Sequence, residues 1–208
     1  LLGSIIHNIA LTFDQLSDST KFENLKELST RYLNILKNSF KFFSKPDILV
    51  ISSQHFLVSV ASIVQRTKDE KMMSDVITIL FTLDQKSPNK IPQLESPDSM
   101  VFSSLIESFK CINLALEQIE LLFKFSLDET VDFNNKIPTI QNAAIVKLLI
   151  EITRDTSFEE YVLDKLILLC RGSASNAFEC FHIDVINYLL ELMHKDKYRL
   201  KALGLYQM

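Results

Sequence analysis

The sequence predicts an all-α protein, and three observations lead to that prediction. Only three glycines and five prolines occur in 208 residues, whereas sheet proteins use both residues at their many turns. Apolar residues recur at helical spacings of three and four, and no segment alternates apolar and polar residues at period two. A block of apolar residues also recurs after 40 positions, a period typical of helical repeat proteins. We therefore expect helices and no strands.

The recurring block lies between Ile140 and Met208. Its first helix aligns Val146, Leu149, Ile150, Glu151 and Ile152 with Ile186, Leu189, Leu190, Glu191 and Leu192. After a short polar break, Phe158 and Val162 align with Tyr198 and Ala202. The chain should therefore carry two copies of a helix pair in this region.

Four helices are predicted before residue 85. They should cover residues 1–16, 21–43, a segment from Pro46 to about Arg66, and 70–83. Two of their starts follow from capping-box spacing, in which a Ser or Thr precedes a Glu by three positions. These two pairs are Thr20 with Glu23 and Thr67 with Glu70.

The segment Gln85–Ser99 is a predicted loop. Pro88, Pro92 and Pro97 exclude a continuous helix there. We expect residues 1–208 to form a single segment, with a possible subdivision into 1–84 and 99–208 around the proline-rich loop 85–98.

This loop also contains the candidate regulatory sites, Ser87 and Ser96, each of which precedes a proline. Phosphorylation of either would add about −1.5 to −2 elementary charges. The hypothesis is a regulated or partner-contacting insertion, and the alternative is a surface insertion without a function.

The sequence after the proline-rich loop predicts six helices. Asp98 or Ser99 should cap the longest, which runs to about Leu127, and residues 128–136 form a polar loop. Further helices are expected over 138–153, from a capping box at Ser157 and Glu160 to Arg171, over 174–181, over 183–195 and from 197 onward. Gly172 should end the second of these in a left-handed conformation.

Composition limits the functional classes and the compartment. A net charge of −4 offers no basic field for a phosphate backbone, so we do not expect nucleic acid as a partner. Cys111, Cys170 and Cys180 are too few and too scattered for a disulfide framework, which favours a reducing, cytoplasmic location. The uncharged stretch Ile48–Val64 is shorter than the roughly 20 residues of a membrane span, and a buried helix explains it better.

No motif predicts catalysis, a metal or a cofactor. Cys180, His182 and His194 lack the paired spacing of a zinc site. Ser87 and Lys90 match Ser-x-x-Lys only by letter, since they lie in the proline-rich loop. The adjacent acids Glu159 and Glu160 lie at a predicted helix start, where carboxylates stabilise the positive helix end. We therefore expect a protein that is not an enzyme.

The residues around Asn176 resemble an armadillo repeat. Asn176 is followed by Ile186 after ten positions, Leu189 after thirteen and Leu192 after sixteen, as where the Asn-led short helix of that family enters its Leu-rich second helix. Asp184 stands where the family places a Gly, and Gly172 precedes the Asn instead. That departure leaves a HEAT-like unit open. Similar helical stretches occur in very large scaffolds that carry a BEACH domain.

The resemblance implies a right-handed α-solenoid of antiparallel helices, in about four units, that binds protein along a concave face without catalysis. The family binds peptides through a ladder of asparagines. Asn113 is the Asn inside a long predicted helix that could take such a part, and it has no repeat-related partner. No binding residue is carried over.

We expect a protein–protein interaction scaffold or adaptor segment of a larger intracellular protein. The chain begins at Leu1 without an initiator Met, and Leu1–Phe13 and Ala202–Met208 are apolar. We therefore expect protein partners and flanking repeats or domains of the same full-length chain. The alternative is a regulatory helical domain of a trafficking protein that contacts membrane lipid or a GTPase, with His194–Lys201 as its basic cluster.

Overall fold

The structure is a computed structural model that describes residues 22–44, 48, 51–128, 137–183 and 185–207. These residues form helices joined by short turns, and the only β-type pairing among them is an isolated antiparallel bridge between Leu127 and Ile140. The predicted all-α class is confirmed. The predicted helix 1–16, the capping pair Thr20 and Glu23, and Pro46 lie outside the described residues or side chains.

The helices in chain order are α1 (Phe22–Ser39), α2 (Gln54–Thr67), α3 (Glu70–Lys86), α4 (Pro92–Glu95), α5 (Met100–Phe109), α6 (Leu116–Ser126), α7 (Ala143–Thr153), α8 (Glu159–Cys170), α9 (Ala174–His182), α10 (Val185–Met193) and α11 (Arg199–Tyr206). A short 3-10 helix, Phe40–Phe42, follows α1. The chain divides into two compact units, Leu1–Leu121 and Leu122–Met208, at a point within α6. The proline-rich loop lies inside the first unit.

The first unit is built around α2 and α3. The helix α2 packs along α5, and α3 packs against both α1 and α2. Ser108 on α5 donates its hydroxyl to the carbonyl oxygen of Ala61 on α2 at 2.7 Å, and both ends of this bond are buried. The helix predicted from Pro46 to about Arg66 is interrupted, since Ser53 is the N-cap of α2. The part of the uncharged stretch that lies in α2 has a buried face, which includes Phe56, Leu57 and Val60. No described helix has the length and apolarity needed to cross a bilayer.

The second unit shows the 40-residue repeat in its helix boundaries. The helix α7 ends at Thr153 and α10 ends at Met193, while α8 begins at Glu159 and α11 at Arg199. The residue before each second helix, Phe158 or Tyr198, has the same αR conformation. Similar sequence thus produces the same turn geometry twice.

Two predicted capping boxes are wrong. Asp69, not Thr67, caps α3, because its carboxylate accepts the N–H of Met72 at 2.8 Å. The hydroxyl of Thr67 instead bonds the carbonyl of Ile63 in the last turn of α2. Near α8, Phe158 occupies the N-cap without a side-chain cap, and the hydroxyl of Thr156 accepts the N–H of Phe158.

The predicted long helix over 99–127 is also wrong, since the chain breaks between α5 and α6. Asn113 donates to the Glu70 carboxylate at 3.0 Å, and Gln118 donates to the Glu70 carbonyl at 3.1 Å. The Gln118 side chain also accepts the N–H of Ala115, which satisfies a free donor at the start of α6. Tertiary contacts to the first turn of α3 therefore outweigh the helical periodicity.

Other local expectations are confirmed. Ser99 caps α5 by accepting the N–H of Phe102, and Gly172 has a φ of +85° after the end of α8. The predicted start of the next helix at residue 138 is wrong. The helix α7 begins at Ala143 with Asn142 as its N-cap, and residues 137–142 are not helical.

Candidate functional site

The proline-rich loop is packed against α3. Ile91 and Leu94 are buried, and the carboxylate of Asp84, also buried, accepts the backbone N–H of Ile91 at 2.9 Å. The short helix α4 begins with Pro92, whose fixed φ suits a first helical turn. Two buried apolar side chains therefore anchor the loop, and the Asp84 carboxylate accepts one of its backbone hydrogen bonds.

A small charged cluster holds this loop. The ammonium of Lys90 lies 3.4 Å from the Asp84 carboxylate and 3.1 Å from that of Glu95. Burial and a hydrogen bond to Asp84 raise the pKa of Glu95 to about 7, although Lys90 opposes the shift. Glu95 therefore changes its protonation near neutral pH, within a contact that closes the loop.

The two candidate phosphorylation sites differ in accessibility. Ser87 is half-buried at the end of α3, and its N–H donates to the carbonyls of Leu83 and Asp84. Ser96 is exposed at the end of α4. Ser96 is thus the site that an enzyme could reach without opening the loop.

Asn176 is the first residue of the armadillo-like pattern. Its side chain is fully buried, and both its oxygen and its amide group are hydrogen-bonded to the backbone. Its side-chain oxygen accepts the N–H of Ile140 at 2.8 Å. Its amide donates to the carbonyls of Pro138 and Leu169, at 3.0 and 2.8 Å. Asn176 thereby ties the segment before α7 to the last turn of α8, and it has no free group for a ligand.

An apolar cavity of about 360 Å³ lies in the second unit. Residues of α8, α9, α10 and α11 line it, with Phe181 and Tyr206 exposed among them. The sulfur atoms of Cys170 and Cys180 line the same cavity 3.6 Å apart. The sulfur of Cys170 and burial raise the pKa of Cys180, so Cys180 remains a neutral thiol. The sequence does not predict this cavity, because the 10-residue spacing of Cys170 and Cys180 matches no thiol motif.

Large apolar side chains are exposed mainly on the last three helices. Of the eleven that the described residues expose, six lie on α9, α10 and α11: Phe178, Phe181, Leu190, Leu200, Leu203 and Tyr206. We call these six side chains the apolar patch. The three last helices therefore carry more than half of the large apolar side chains that the described residues expose.

The predicted basic cluster is paired within the chain. Lys195 bonds Asp155 and Glu159, at 2.7 and 3.1 Å. Lys197 and Lys201 both bond Glu160, at 2.9 and 2.8 Å.

These ion pairs neutralise the positive charge of the predicted basic cluster. Lys201 and Lys197 lower the pKa of Glu160 to about 2. Arg199 pairs with Asp196 at 2.7 Å. Acids of the chain therefore compensate the cations of residues 194–201.

The other residues considered for chemistry have structural contacts. Ser173, next to Gly172, caps α9 by accepting the N–H of Asn176. The ring of His182 lies 4.1 Å from that of Phe178, centroid to centroid. Across the described ranges, no group of three or more His, Cys, Asp or Glu side chains is arranged to hold a metal ion. In comparisons with known proteins, no family model, no curated protein and no solved structure matches the chain.

Proposed function

We propose that the chain is a protein-binding scaffold or adaptor segment of a larger intracellular protein, without catalytic activity. Its helix pairs would stack as an α-solenoid of the armadillo or HEAT type, as the pattern around Asn176 implies. The parent would be a large scaffold of the kind that carries a BEACH domain. The observation that carries the proposal is the apolar patch on α9–α11.

The composition of the apolar patch favours a protein partner. Phe178, Phe181 and Tyr206 are exposed aromatic residues, and aromatic side chains are enriched among the residues that dominate binding energy at protein interfaces. The cavity beside Phe181 and Tyr206 could take an apolar side chain of a partner. Burial of such anchors supplies affinity without any reacting group.

The second candidate is a domain that contacts membrane lipid or a GTPase. Attraction to anionic lipid relies on uncompensated Lys and Arg, worth about 1 kcal/mol each near the surface. The cations of residues 195–201 have carboxylate partners instead. This pairing favours the protein-binding proposal.

The experiment starts with the purified 208-residue chain as bait. Proteins that bind to this bait are cross-linked to it and identified. The most abundant of them is purified and titrated against the chain by isothermal calorimetry. We expect saturable binding that Phe181→Asp weakens at least tenfold. Met100→Asp is the matched control, because Met100 is 61% exposed and Phe181 is 62% exposed.

Sedimentation with vesicles of phosphatidylserine and phosphatidylcholine tests the second candidate in parallel. If the chain pellets with these vesicles, and no purified protein binds in a way that Phe181→Asp weakens, the scaffold proposal is wrong. If the chain stays in the supernatant and a protein binds, the lipid alternative is excluded.

A further inference from the structure

We propose that Cys170 and Cys180 form a modification site, at which hydrogen peroxide converts the two thiols into a reversible intramolecular disulfide. The site lies where the end of α8 meets α9, in the wall of the apolar cavity. It goes beyond the proposed function and does not depend on it, because the reaction needs no protein partner.

The two sulfur atoms lie side by side. Cys170 is the last residue of α8, and Cys180 lies in the last turn of α9. A hydrogen bond joins their sulfur atoms at 3.6 Å. The S–S bond of a disulfide is about 2.0 Å long, so the two atoms need to approach each other by about 1.5 Å. Rotation of the two side chains about their Cα–Cβ bonds moves the sulfur atoms by distances of this size.

The surrounding contacts hold α9 against the end of α8. Asn176 on α9 donates its side-chain amide to the carbonyl oxygen of Leu169 at 2.8 Å, in a buried hydrogen bond. Gly172, with a φ of +85°, and Ser173, the N-cap of α9, form the turn between the two helices. These contacts place the two thiols together in the folded chain. Formation of the disulfide therefore does not require unfolding.

The cavity gives a small oxidant access to thiols that are otherwise buried. Cys170 and Cys180 are both buried, but both line the cavity. Phe181 and Tyr206 line it too and are exposed, so the cavity reaches the surface of the second unit. Hydrogen peroxide, with two heavy atoms, is much smaller than the cavity volume of about 360 Å³. It can therefore reach the sulfur atoms through this space.

The local environment gives the two sulfur atoms different roles. The hydrogen bond to Cys180 lowers the pKa of Cys170, although burial opposes the shift. The hydrogen bond to Cys170 and burial both raise the pKa of Cys180. Since the thiolate is the nucleophilic form of cysteine, peroxide oxidises Cys170 first. Cys180 is then the thiol that reacts with the oxidised Cys170.

The reaction balances with hydrogen peroxide as the oxidant. The Cys170 thiolate attacks one peroxide oxygen, so that an S–O bond forms, the O–O bond breaks and the released hydroxide takes up a proton. The product is a sulfenic acid, which condenses with a thiol. The Cys180 sulfur then attacks the Cys170 sulfur, the S–O bond breaks, and the hydroxide leaves with the Cys180 proton as water. Two thiols and one peroxide thus give one disulfide and two waters.

Peptide mapping of the peroxide-treated chain tests the site. The reduced 208-residue chain is treated with hydrogen peroxide, its remaining thiols are blocked with N-ethylmaleimide, and it is digested with trypsin without reductant. Trypsin cleaves after Arg171, which places Cys170 in the peptide 166–171 and Cys180 in the peptide 172–195. We expect mass spectrometry to find these two peptides linked in at least half of the chain. Dithiothreitol should separate them by thiol–disulfide exchange.

Cys111 is the control within the same chain. It is less buried than the two other cysteines, and its thiol donates to the carbonyl oxygen of Glu107 at 3.3 Å. A carbonyl oxygen does not stabilise a thiolate. We therefore expect Cys111 to lose its reactivity towards N-ethylmaleimide at least tenfold more slowly than the linked peptides form.

Two serine variants test the order of the two steps. Cys180→Ser keeps a hydroxyl donor beside Cys170 but removes the second thiol, so the sulfenic acid of Cys170 should accumulate and react with dimedone. In Cys170→Ser, we expect dimedone labelling of Cys180 to be at least tenfold weaker. Circular dichroism checks the helical content of both variants. The peptide map of the parent chain remains decisive if either variant unfolds.

Each contrary result overturns the proposal. If the two peptides remain separate, whether or not Cys111 is oxidised, no disulfide forms at this site. Linked peptides that appear only with loss of the helical circular dichroism signal would show that the disulfide forms in the unfolded chain. Equal dimedone labelling of the two serine variants would show that the assigned roles of Cys170 and Cys180 are wrong.

Discussion

The side-chain oxygen of Asn176 accepts a hydrogen bond from the backbone N–H of Ile140 at 2.8 Å, across 36 residues of sequence. Ile140 also pairs with Leu127 in the isolated bridge of the second unit. The residue that the armadillo-like pattern singles out therefore acts as a buried connector between segments. Its amide serves two further backbone carbonyls.

Asn176→Ala should strongly destabilise the second unit. Each buried backbone group left without a partner costs about 1–3 kcal/mol of unfolding free energy. Asn176→Asp should also destabilise the unit, because it keeps the acceptor for Ile140 but loses both donations. Urea denaturation followed by circular dichroism measures the change. Asn187→Ala, at an exposed position on α10, should stay within about 0.5 kcal/mol, and a neutral Asn176→Asp would contradict this role.

Lys195→Ala should cost more stability than Lys197→Ala. Lys195 pairs with Glu159, whose side chain is 2% exposed, so its loss leaves a buried carboxylate without its cation. We expect a cost of about 1–3 kcal/mol. Lys197 pairs with the more exposed Glu160, and solvent screens such an exposed pair, so we expect a smaller loss of stability. Thermal unfolding of both variants makes the comparison, and equal changes in Tm would show that the burial of Glu159 is without consequence.

Asp69→Ala should destabilise the first unit by about 1 kcal/mol, the usual cost of losing an N-cap. Thr67→Ala should have a smaller effect, because Thr67 bonds a carbonyl at the end of α2. Burial opposes the shift, but hydrogen bonds from Lys26 and Met72 hold the pKa of Asp69 below its ordinary value. The contribution of Asp69 is therefore present above its unfolded pKa and is lost as the pH falls through the folded one. Urea denaturation at pH 7 and pH 3 should show a larger difference between parent and Asp69→Ala at pH 7 than at pH 3.

Glu95→Gln should remove a pH dependence of the free energy of unfolding near neutral pH. Since the folded pKa of Glu95 is raised from 4.5 to about 7, the folded state binds the proton more tightly than the unfolded state does. The stability from this group is fully present below pH 4.5 and is lost as the pH rises through 7. Relative to the parent chain, Glu95→Gln should therefore gain stability between pH 5 and pH 8. Thermal scans across that range measure the difference in Tm, and a constant difference would contradict the raised pKa.

Ser96 should be phosphorylated by a proline-directed kinase in the folded chain, and Ser87 should not. Ser96 is exposed, whereas Ser87 is half-buried and its N–H is bonded to α3. Tandem mass spectrometry of the treated chain assigns the site, with Ser96→Ala as the control. Modification of Ser87 at an equal rate would indicate that the loop opens in solution.

Deletion of the loop is a poor test of its function, because it would remove the buried side chains of Ile91 and Leu94. Ser96→Glu and Ser96→Ala change the charge without removing these anchors. Titration of the protein partner against both variants therefore separates regulation from unfolding.

Local rules explain what could be predicted from the sequence. Apolar spacing, the cap at Ser99 and the left-handed Gly172 depend on neighbours within a few positions. The helical class and many helix boundaries could therefore be predicted from the sequence. The 40-residue recurrence also appears in the structure, because equal patterns of apolar residues form equal helices ending at Thr153 and Met193.

Contacts between residues that are distant in sequence determine the features that could not be predicted. Glu70 interrupts the helix predicted through Asn113 by bonding residues 43 and 48 positions away. Packing between α8 and α9 also brings the sulfur atoms of Cys170 and Cys180 within 3.6 Å, although their spacing matches no thiol motif.

The candidate site also combines a feature that the sequence predicts with one that only the tertiary structure shows. Ile150 and Leu190 occupy equivalent positions in the repeat and are both large and apolar, and sequence alone assigns both to a core. Only the tertiary structure shows that Ile150 is buried and Leu190 is exposed. Periodicity determines which face of a helix is apolar, whereas burial depends on whether another helix covers that face.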